Sequence, residues 1–280
     1  MRERERKQNS LREIIKRIDT IFLFSLLKKI RNCIHTYILR KVKKNNFYLE
    51  KKFTFKNISF FESNKNLISE LCEIYGSDKG YLHLNNAKPF SSQPHSYSNF
   101  YYNMFNHCKD YIKLVFEVGI GTNNPNLPSS MGTNYKPGAS LRVWKDYFFN
   151  AQIYGADIDK NILFNNEDRI HTYYVDQLNT NSIKEMWNNF KKDNFDIIID
   201  DGLHTSEANI NFFLNSFDKL KKNGIYIIED VNYKNLNIIY EKLKKFKPEI
   251  ILLNSLQFKE PYFANGVSMG VGENLIIFRK

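Results

Sequence analysis

Short apolar runs alternate with longer helical segments from residue 113 onwards, and this alternation restricts the fold more than any other feature. The run from Phe195 to Asp200 holds three consecutive isoleucines, which is typical of a strand covered on both faces. Strands that alternate with helices in this way form a parallel sheet. We therefore predict an α/β fold with a doubly wound, mostly parallel sheet of seven strands and helices on both faces. The predicted strands are 114–118, 152–157, 170–174, 195–200, 224–229, 248–253 and 274–278, and the predicted helices are 139–149, 180–192, 206–221 and 233–245.

The net charge of +11 is concentrated in residues 1–56, which carry 17 Lys and Arg against 5 Asp and Glu. The remaining residues carry 24 against 25, so the sheet-forming part lacks the basic surface that nucleic-acid binding requires. Between Leu11 and Leu39, apolar residues recur at helical spacing with Lys and Arg between them. We predict a basic, amphipathic helical extension over 1–65 and one domain over 66–280. The extension could pack on its own domain or on a partner copy, or lie on an anionic membrane surface.

The cysteines and the apolar runs near the start bear on the compartment. Cys33, Cys72 and Cys108 have no C-x-x-C spacing, which argues against a disulfide framework or a zinc site. The run from Ile21 to Leu27 is too short to span a bilayer, and Lys28 to Arg31 follows it where a signal peptide needs small residues. We expect a cytoplasmic protein, either free or peripheral to the inner face of the membrane.

A glycine loop follows the first strand of the predicted sheet, with the sequence Glu117-Val-Gly-Ile-Gly-Thr-Asn-Asn124. Gly119 and Gly121 allow a tight turn and a close approach to a ligand at the carboxyl edge of the sheet, where open α/β sheets bind nucleotides. A pyrophosphate would require a third glycine where Asn124 stands. The loop therefore suits a cofactor without pyrophosphate that carries an ammonium group and a ribose.

The E-x-G-x-G pattern resembles the first motif of the class I S-adenosylmethionine (SAM)-dependent methyltransferases, which have a Rossmann-like fold. The resemblance implies that Gly119 and Gly121 line the methionine part of SAM. Asp157, at the end of the second strand, looks like the family's acid that accepts hydrogen bonds from both ribose hydroxyls, with Asp159 as a second candidate. Asp176 is similar to the acid that meets the adenine amino group. A single acid at such a position could instead cap a helix or lie in solvent.

Two acidic pairs follow the fourth and fifth strands, namely Asp200-Asp201 and Glu229-Asp230. Four carboxylates at one edge of a sheet repel one another unless a cation joins them, and oxygen ligands of this kind suit Mg²⁺. His204 lies three residues after Asp201, close enough to act as general base for a hydroxyl. The alternative is that His204 caps the next helix and that the second pair ends a strand in solvent.

The D-D-G-x-H and E-D motifs resemble those of metal-dependent O-methyltransferases that act on sugars of macrolide antibiotics, and of related enzymes of bacterial surface-polysaccharide pathways. The similarity covers about residues 70–280. It implies that Asp201, Glu229 and Asp230 bind the metal and that His204 is the base, while Asp200 faces the sulfonium side of SAM. The predicted cofactor-binding residues are Glu117, Gly119, Gly121, Asp157, Asp176 and Asp200.

The segment from Tyr75 to Gly80, with His95 and Tyr97, is also similar to a part of these enzymes that folds over SAM. The alternative, a plain turn before an aromatic core helix, stays open. Candidate loops for contacting the substrate are 129–132, 137–140 and 257–272.

The leading hypothesis is SAM-dependent, Mg²⁺-assisted methylation of a hydroxyl on a sugar or small acceptor in a bacterial capsule or surface-polysaccharide pathway, with a nucleotide-activated sugar among the substrates. One alternative is methylation of a phosphoramidate or another acidic oxygen of the glycan. Another is a noncatalytic SAM-fold scaffold docked to a membrane-bound glycosyltransferase complex, against which the intact acidic motifs argue. A catechol-type enzyme also uses SAM and Mg²⁺. An RNA methyltransferase would need a basic substrate face.

Overall fold

The computed structural model describes residues 55–60, 65–80, 95–255, 262–264, 267–269 and 273–280. The predicted N-terminal helices between Leu11 and Leu39 lie outside these residues, as does most of the candidate loop 257–272. In the part that is described, no helix is both long enough and apolar enough to cross a membrane.

The described strands form one sheet of eight and a separate antiparallel pair, β8 and β9. The sheet order is β1-β7-β10-β6-β5-β2-β3-β4, in which β10 runs antiparallel to both neighbours and the other pairs are parallel. The strands are β1 Phe55–Phe60, β2 Leu114–Val118, β3 Gln152–Asp157, β4 Ile170–Tyr174, β5 Phe195–Asp200, β6 Leu220–Ile228, β7 Glu249–Ser255, β8 Tyr262–Ala264, β9 Val267–Met269 and β10 Glu273–Arg279.

Seven of the eight sheet strands are the ones that the sequence predicts, with ends that differ by a few residues. The eighth, β1, pairs in parallel with β7 at the edge of the sheet. Its residues belong to the segment that the sequence placed in the N-terminal extension. The mostly parallel, doubly wound α/β sheet is confirmed, with β1 added at its edge.

Within the described residues, six α-helices cover the sheet on its two faces. Helix α1 contacts α2 and α3, whereas α5 contacts α4 and α6. Strand β2 shows the two layers, because Phe116 packs against Trp187 of α4 while its neighbour Val115 shares an apolar cluster with Trp144 of α3. The helices are α1 Leu67–Tyr75, α2 Tyr97–Phe105, α3 Ala139–Tyr147, α4 Thr180–Phe190, α5 Ser206–Leu214 and α6 Tyr233–Leu243.

The strand order reverses its direction across the sheet between β2 and β5, which are parallel neighbours. From β2 the chain passes through α3 to β3 on one side, and from β5 it passes through α5 to β6 on the other side. Loops at the carboxyl ends of two such strands diverge and leave a crevice, which is where open α/β sheets bind ligands. The fold therefore predicts the functional site at the ends of β2 and β5.

Candidate active site

A crevice of about 240 Å³ opens at the carboxyl ends of β2 and β5. Its wall contains seven of the ten predicted site residues. The remaining three, Glu117, Asp200 and Glu229, are buried behind that wall. The seven in the wall are Gly119, Gly121, Asp157, Asp176, Asp201, His204 and Asp230.

Both glycines of the loop after β2 adopt left-handed backbone conformations, with φ of +85° at Gly119 and +79° at Gly121. A Cβ on Gly119 would lie 2.0 Å from the carbonyl oxygen of Asp201. A Cβ on Gly121 would lie 2.3 Å from the ring of Tyr135. Only glycine lets this loop run so close to the turn after β5, and it leaves backbone rather than side chains facing the crevice.

Asp157 and Asp159 follow β3 but have different surroundings. Asp157 lines the crevice and accepts backbone hydrogen bonds from Ile120 (2.9 Å) and Asp159 (2.9 Å), one on each carboxylate oxygen. Each oxygen therefore keeps a second lone pair for a ligand. Asp159 is buried, and its oxygens bind the Thr122 hydroxyl (2.6 Å) and the Asn161 N–H (3.0 Å). Of the two candidates for the ribose role, Asp157 is the one that lines the crevice.

The loop after β4 is joined to the turn after β5 by Gln177, which follows Asp176. The Gln177 side chain donates to Asp200 Oδ1 (2.7 Å) and accepts from the N–H of Leu203 (2.8 Å). Gly202 passes so close that a Cβ there would lie 2.0 Å from the Gln177 side chain. We did not predict Gln177, although it follows the acid predicted for adenine. It fixes the position of the D-D-G turn.

Asp200 points into the interior of the domain. Besides Gln177, its carboxylate accepts a hydrogen bond from the hydroxyl of Tyr226 (3.3 Å). Burial raises the pKa of Asp200. Its role beside the sulfonium of SAM stays a prediction, and in this structure its partners are internal.

Two of the predicted metal ligands, Asp201 and Asp230, converge in the crevice with the predicted base, His204. One ligand atom each from Asp201, His204 and Asp230 lies within 4.8 Å of the others. Asp201 and Asp230 offer the carboxylate oxygens that Mg²⁺ prefers, and ligands on opposite sides of an octahedral Mg²⁺ are about 4.2 Å apart, so the spacing of these two acids fits this ion. Burial alone would raise the pKa of Asp230, but the imidazoles of His95 and His204, the hydrogen bond from Tyr97 and the ammonium of Lys79 together lower that pKa to about 2. A carboxylate that stays ionised in this way is a suitable cation ligand.

His204 does not cap the following helix, which excludes the alternative considered for it. Thr205 is the N-cap, since its hydroxyl accepts a hydrogen bond from the N–H of Ala208 (3.2 Å). His204 has a left-handed backbone with φ of +56°, and its Nε2 lies 3.9 Å from Asp201 Oδ1. Its Nδ1 is buried without a hydrogen-bond partner among the described residues. Asp230 also has positive φ, +53°.

Glu229 is held by a buried lysine that we did not predict as a site residue. The ammonium of Lys79 contacts the carboxylates of Glu229, Asp201 (2.6 Å) and Glu117 (3.1 Å), and its side chain is only 2% exposed. The second oxygen of Glu229 accepts from the hydroxyl of Tyr101. Glu229 is therefore engaged by internal partners, and its role as a metal ligand stays a prediction.

Helix α2 supplies two tyrosines to the acidic pair after β6. Tyr97 donates to Asp230, and Tyr101, one turn further along, donates to Glu229. The ring of His95 stacks on Tyr97 with centroids 4.8 Å apart, and its Nδ1 lies 3.6 Å from Asp230. The start of α2 is tied to the preceding segment because the N–H of Ser98 donates to the carbonyl of Lys79 (2.7 Å). This part of the chain therefore lies directly against the acidic pair.

Glu117, which precedes the glycine loop, lies beneath the crevice and not in its wall. Its Oε2 accepts a hydrogen bond from the indole of Trp144 (2.9 Å), and its Oε1 lies next to Lys79. Burial raises the pKa of Glu117. Its contact with the cofactor stays a prediction, and its observed partners are Trp144 and Lys79.

Three bacterial enzymes are similar to this chain over part of its length. The 8-demethyl-8-alpha-L-rhamnosyl tetracenomycin-C 2'-O-methyltransferase of Streptomyces olivaceus is 33% identical over 138 residues, 49% of this chain and 33% of the relative. Mycinamicin VI 2''-O-methyltransferase of Micromonospora griseorubida is 34% identical over 45% of this chain and 29% of the relative. Demethylmacrocin O-methyltransferase of Streptomyces fradiae is 39% identical over 34% of this chain and 23% of the relative. The chain resembles the sugar O-methyltransferases.

The matched part spans a third or less of these relatives' own length, and no protein-family model matches the chain. Among solved structures, the MycE methyltransferase from the mycinamycin pathway, in complex with Mg and SAH, superposes with a TM-score of 0.51 at 22% identity, covering 78% of this chain and 54% of that one. This likeness shows the Rossmann-like methyltransferase fold. The resemblance that the motifs predicted is confirmed by the relatives.

Proposed function

We propose that this chain is a SAM-dependent, Mg²⁺-assisted O-methyltransferase. The observation that carries the proposal is the convergence of Asp201, His204 and Asp230 in the crevice that the glycine loop borders. A noncatalytic scaffold would not need two acids and an imidazole to meet in an open crevice. The relatives named as sugar O-methyltransferases support the same activity.

The cofactor half of the crevice fits SAM. Gly119 and Gly121 present bare backbone to the methionine portion, and Asp157 has lone pairs free for both ribose hydroxyls. Asp176 lies further along the same wall, where it can accept a hydrogen bond from the adenine amino group. When bound, SAM supplies an electrophilic methyl group, and Mg²⁺ supplies the positive charge that lowers the pKa of an acceptor hydroxyl.

The chemical half of the crevice consists of the acids and His204. Asp201 and Asp230 are the carboxylates that would hold Mg²⁺, with Glu229 behind them as the third predicted ligand. Mg²⁺ prefers oxygen ligands, which leaves the imidazole of His204 free to act on the acceptor. His204 Nε2 takes the hydroxyl proton during methyl transfer, as a general base positioned at the rim of the metal site.

For the acceptor, we propose a sugar hydroxyl. The relatives carry names that specify 2'-O, 2''-O and 3'-O positions on glycosides of natural products. We further propose that the acceptor here belongs to a capsule or other surface-glycan pathway, either as a nucleotide-activated sugar or as a glycosylated intermediate. A phosphoramidate or other acidic oxygen of such a glycan is the alternative acceptor.

The test is methyl transfer from SAM to a panel of acceptors, followed by mass spectrometry for the gain of one methyl group. The panel contains nucleotide-diphosphate sugars, rhamnosyl glycosides and phosphoramidate-bearing sugars, each with Mg²⁺ and with excess EDTA. We expect transfer to a sugar hydroxyl that EDTA abolishes and Mg²⁺ restores. Transfer that survives chelation would show that the acids are not a metal site. If S-adenosylhomocysteine (SAH) forms but no compound in the panel gains a methyl group, the acceptor is not one of these classes.

A further inference from the structure

Lys79 is a buried cation at the edge of the proposed metal site. Its ammonium contacts Glu117, Asp201 and Glu229, so one positive charge is shared among three carboxylates. A buried ion pair is costly to break, because removing one partner leaves the other charged and desolvated. The ammonium therefore allows these carboxylates to be close together while no other cation is present.

The carboxylate of Asp201 faces two different surroundings through its two oxygens. Oδ2 lies 2.6 Å from the ammonium of Lys79, while Oδ1 is turned towards His204, 3.9 Å from Nε2. Asp201 is thus the residue common to the Lys79 cluster and to the group that can hold a metal ion. Any cation bound by Asp201 Oδ1 must share that carboxylate with Lys79.

We propose that Lys79 is a resident counter-cation of the metal site, which holds Asp201 and Glu229 in place before a divalent ion binds and limits the affinity for that ion by competing for their negative charge. This inference deepens the proposed function, because it assumes that Asp201 and Asp230 bind a divalent cation. Lys79 is a positioning residue in this account, since it acts on the ion through the carboxylates.

The surroundings of Lys79 also argue against a role as a base. Its ammonium contacts three carboxylates in a buried site, and opposite charges at this distance favour the protonated form of the side chain. An ammonium that keeps its proton cannot accept one from an acceptor hydroxyl. What it can supply is a fixed positive charge, whose effect on a nearby divalent ion is repulsive.

The test compares the wild-type protein with Lys79→Met, using Mn²⁺ as the probe in an electron paramagnetic resonance titration. We expect Mn²⁺ to bind at least about tenfold more tightly to Lys79→Met, because a unit charge in contact with Asp201 is removed. In EDTA the melting temperature of the variant should fall, and excess Mn²⁺ should restore more of it than in the wild type. If Lys79 were purely structural, its loss would lower the melting temperature without increasing the affinity for Mn²⁺.

Lys221→Met is the matched control, since Lys221 also pairs with a buried acid, Asp196, but lies outside the crevice wall. Its Mn²⁺ affinity should equal that of the wild type. If Lys79→Met does not fold, the double variant Lys79→Met/Glu117→Gln removes one buried charge of each sign. It is then compared with Glu117→Gln alone. The double variant should bind Mn²⁺ more tightly than Glu117→Gln.

Two results would overturn the inference, and they are distinguishable. If the wild type binds Mn²⁺ and loss of Lys79 leaves that binding unchanged or weaker, Lys79 does not compete with the ion, and the proposed metal-assisted function is unaffected. If the wild-type protein binds no Mn²⁺, both the metal-assisted function and the role of Lys79 as a competing cation are contradicted.

Discussion

The two ends of strand β5 carry the same acidic side chain in different surroundings. At the amino end, the oxygens of Asp196 accept two backbone hydrogen bonds (2.7 and 2.8 Å) and pair with Lys221. At the carboxyl end, Asp201 pairs with Lys79 through one oxygen, while the other faces His204 across 3.9 Å. Asp196, whose oxygens are held by backbone N–H groups and a lysine, stabilises the fold, whereas Asp201 lines the crevice with one oxygen facing His204 and can bind a ligand.

Both ends of β5 also have left-handed backbone conformations nearby. Near the amino end they belong to Asn194 and Asn223, and at the carboxyl end to His204 and Asp230. Asn, Asp and His all adopt this conformation more readily than most residues with a Cβ, so the backbone conformation by itself does not separate the two ends. What separates them is that His204 and Asp230 line the crevice of the proposed site.

The largest expected effect is that of His204→Ala on turnover. If His204 is the general base, its loss should reduce the rate by a factor of about 10² to 10⁴ while the affinity for SAH stays the same, because the imidazole lies on the metal side of the crevice. Steady-state rates and SAH binding by calorimetry measure the two quantities separately. A variant that turns over at the wild-type rate would remove His204 from the chemistry.

Thr205→Ala is the matched control for this prediction. It removes the hydroxyl that caps α5 and should cost about 1 kcal/mol of stability, measured by urea unfolding. Its rate should stay near that of the wild type when assayed well below its melting temperature. Equal rate losses in the two variants would mean that the position of the turn, and not the imidazole, determines the rate.

The second prediction concerns Asp157, which lies in the crevice wall at the end of β3. A ligand at about 100 times its dissociation constant stabilises a protein by about 2.7 kcal/mol, so SAH should raise the wild-type melting temperature by several degrees. Asp157→Ala should lose most of that shift, each protein being compared with its own ligand-free melting temperature. Asp159→Asn is the control and should retain the shift, because Asp159 does not line the crevice.

The third prediction is made at the amino end, where an acid stabilises the fold. Asp196→Ala leaves the backbone N–H groups of Lys113 and Leu114 without their carboxylate acceptor, which should cost about 1–3 kcal/mol in urea unfolding. The turnover of the folded variant should match the wild type, since Asp196 lies at the opposite end of β5 from the crevice. A selective loss of turnover at unchanged stability would contradict the division between the two ends.

The sequence predicts the sheet and the position of most site residues for one physical reason. Continuous apolar runs mark strands buried on both faces, and their carboxyl ends in a parallel sheet share one edge. Asp157, Asp201 and Asp230 each follow such a run, so their meeting at the crevice is a consequence of strand order. The edge strand β1 was harder to predict, because Phe55–Phe60 has a mixed pattern and gains its place only by pairing with β7.

The parts that were not predicted depend on contacts between distant segments. Lys79 reaches Asp201 from 122 residues away, and nothing in its local sequence distinguishes a buried lysine from a surface one. Asp200 and Asp201 are adjacent, yet successive side chains of a strand point to opposite sides, and Gln177 holds the first of them inside. Which acid faces the crevice therefore depends on the neighbouring loop as well as on the motif.

The smallest expected effect is that of Lys221→Met, and it sharpens the contrast with Lys79. The Lys221 side chain is 41% exposed, so its pair with Asp196 is screened by water and should contribute at most about 1 kcal/mol. Asp196→Ala should reduce the stability more than Lys221→Met, since it also removes two backbone hydrogen bonds.

The double variant should be little less stable than Asp196→Ala alone, because the lysine has already lost its partner. A double-mutant cycle by urea unfolding measures this coupling. If Lys221→Met is as unstable as Asp196→Ala, the ion pair, rather than the backbone hydrogen bonds, stabilises the amino end of β5. Lys221 and Lys79 would then both stabilise a buried acid and differ only in how strongly they do so.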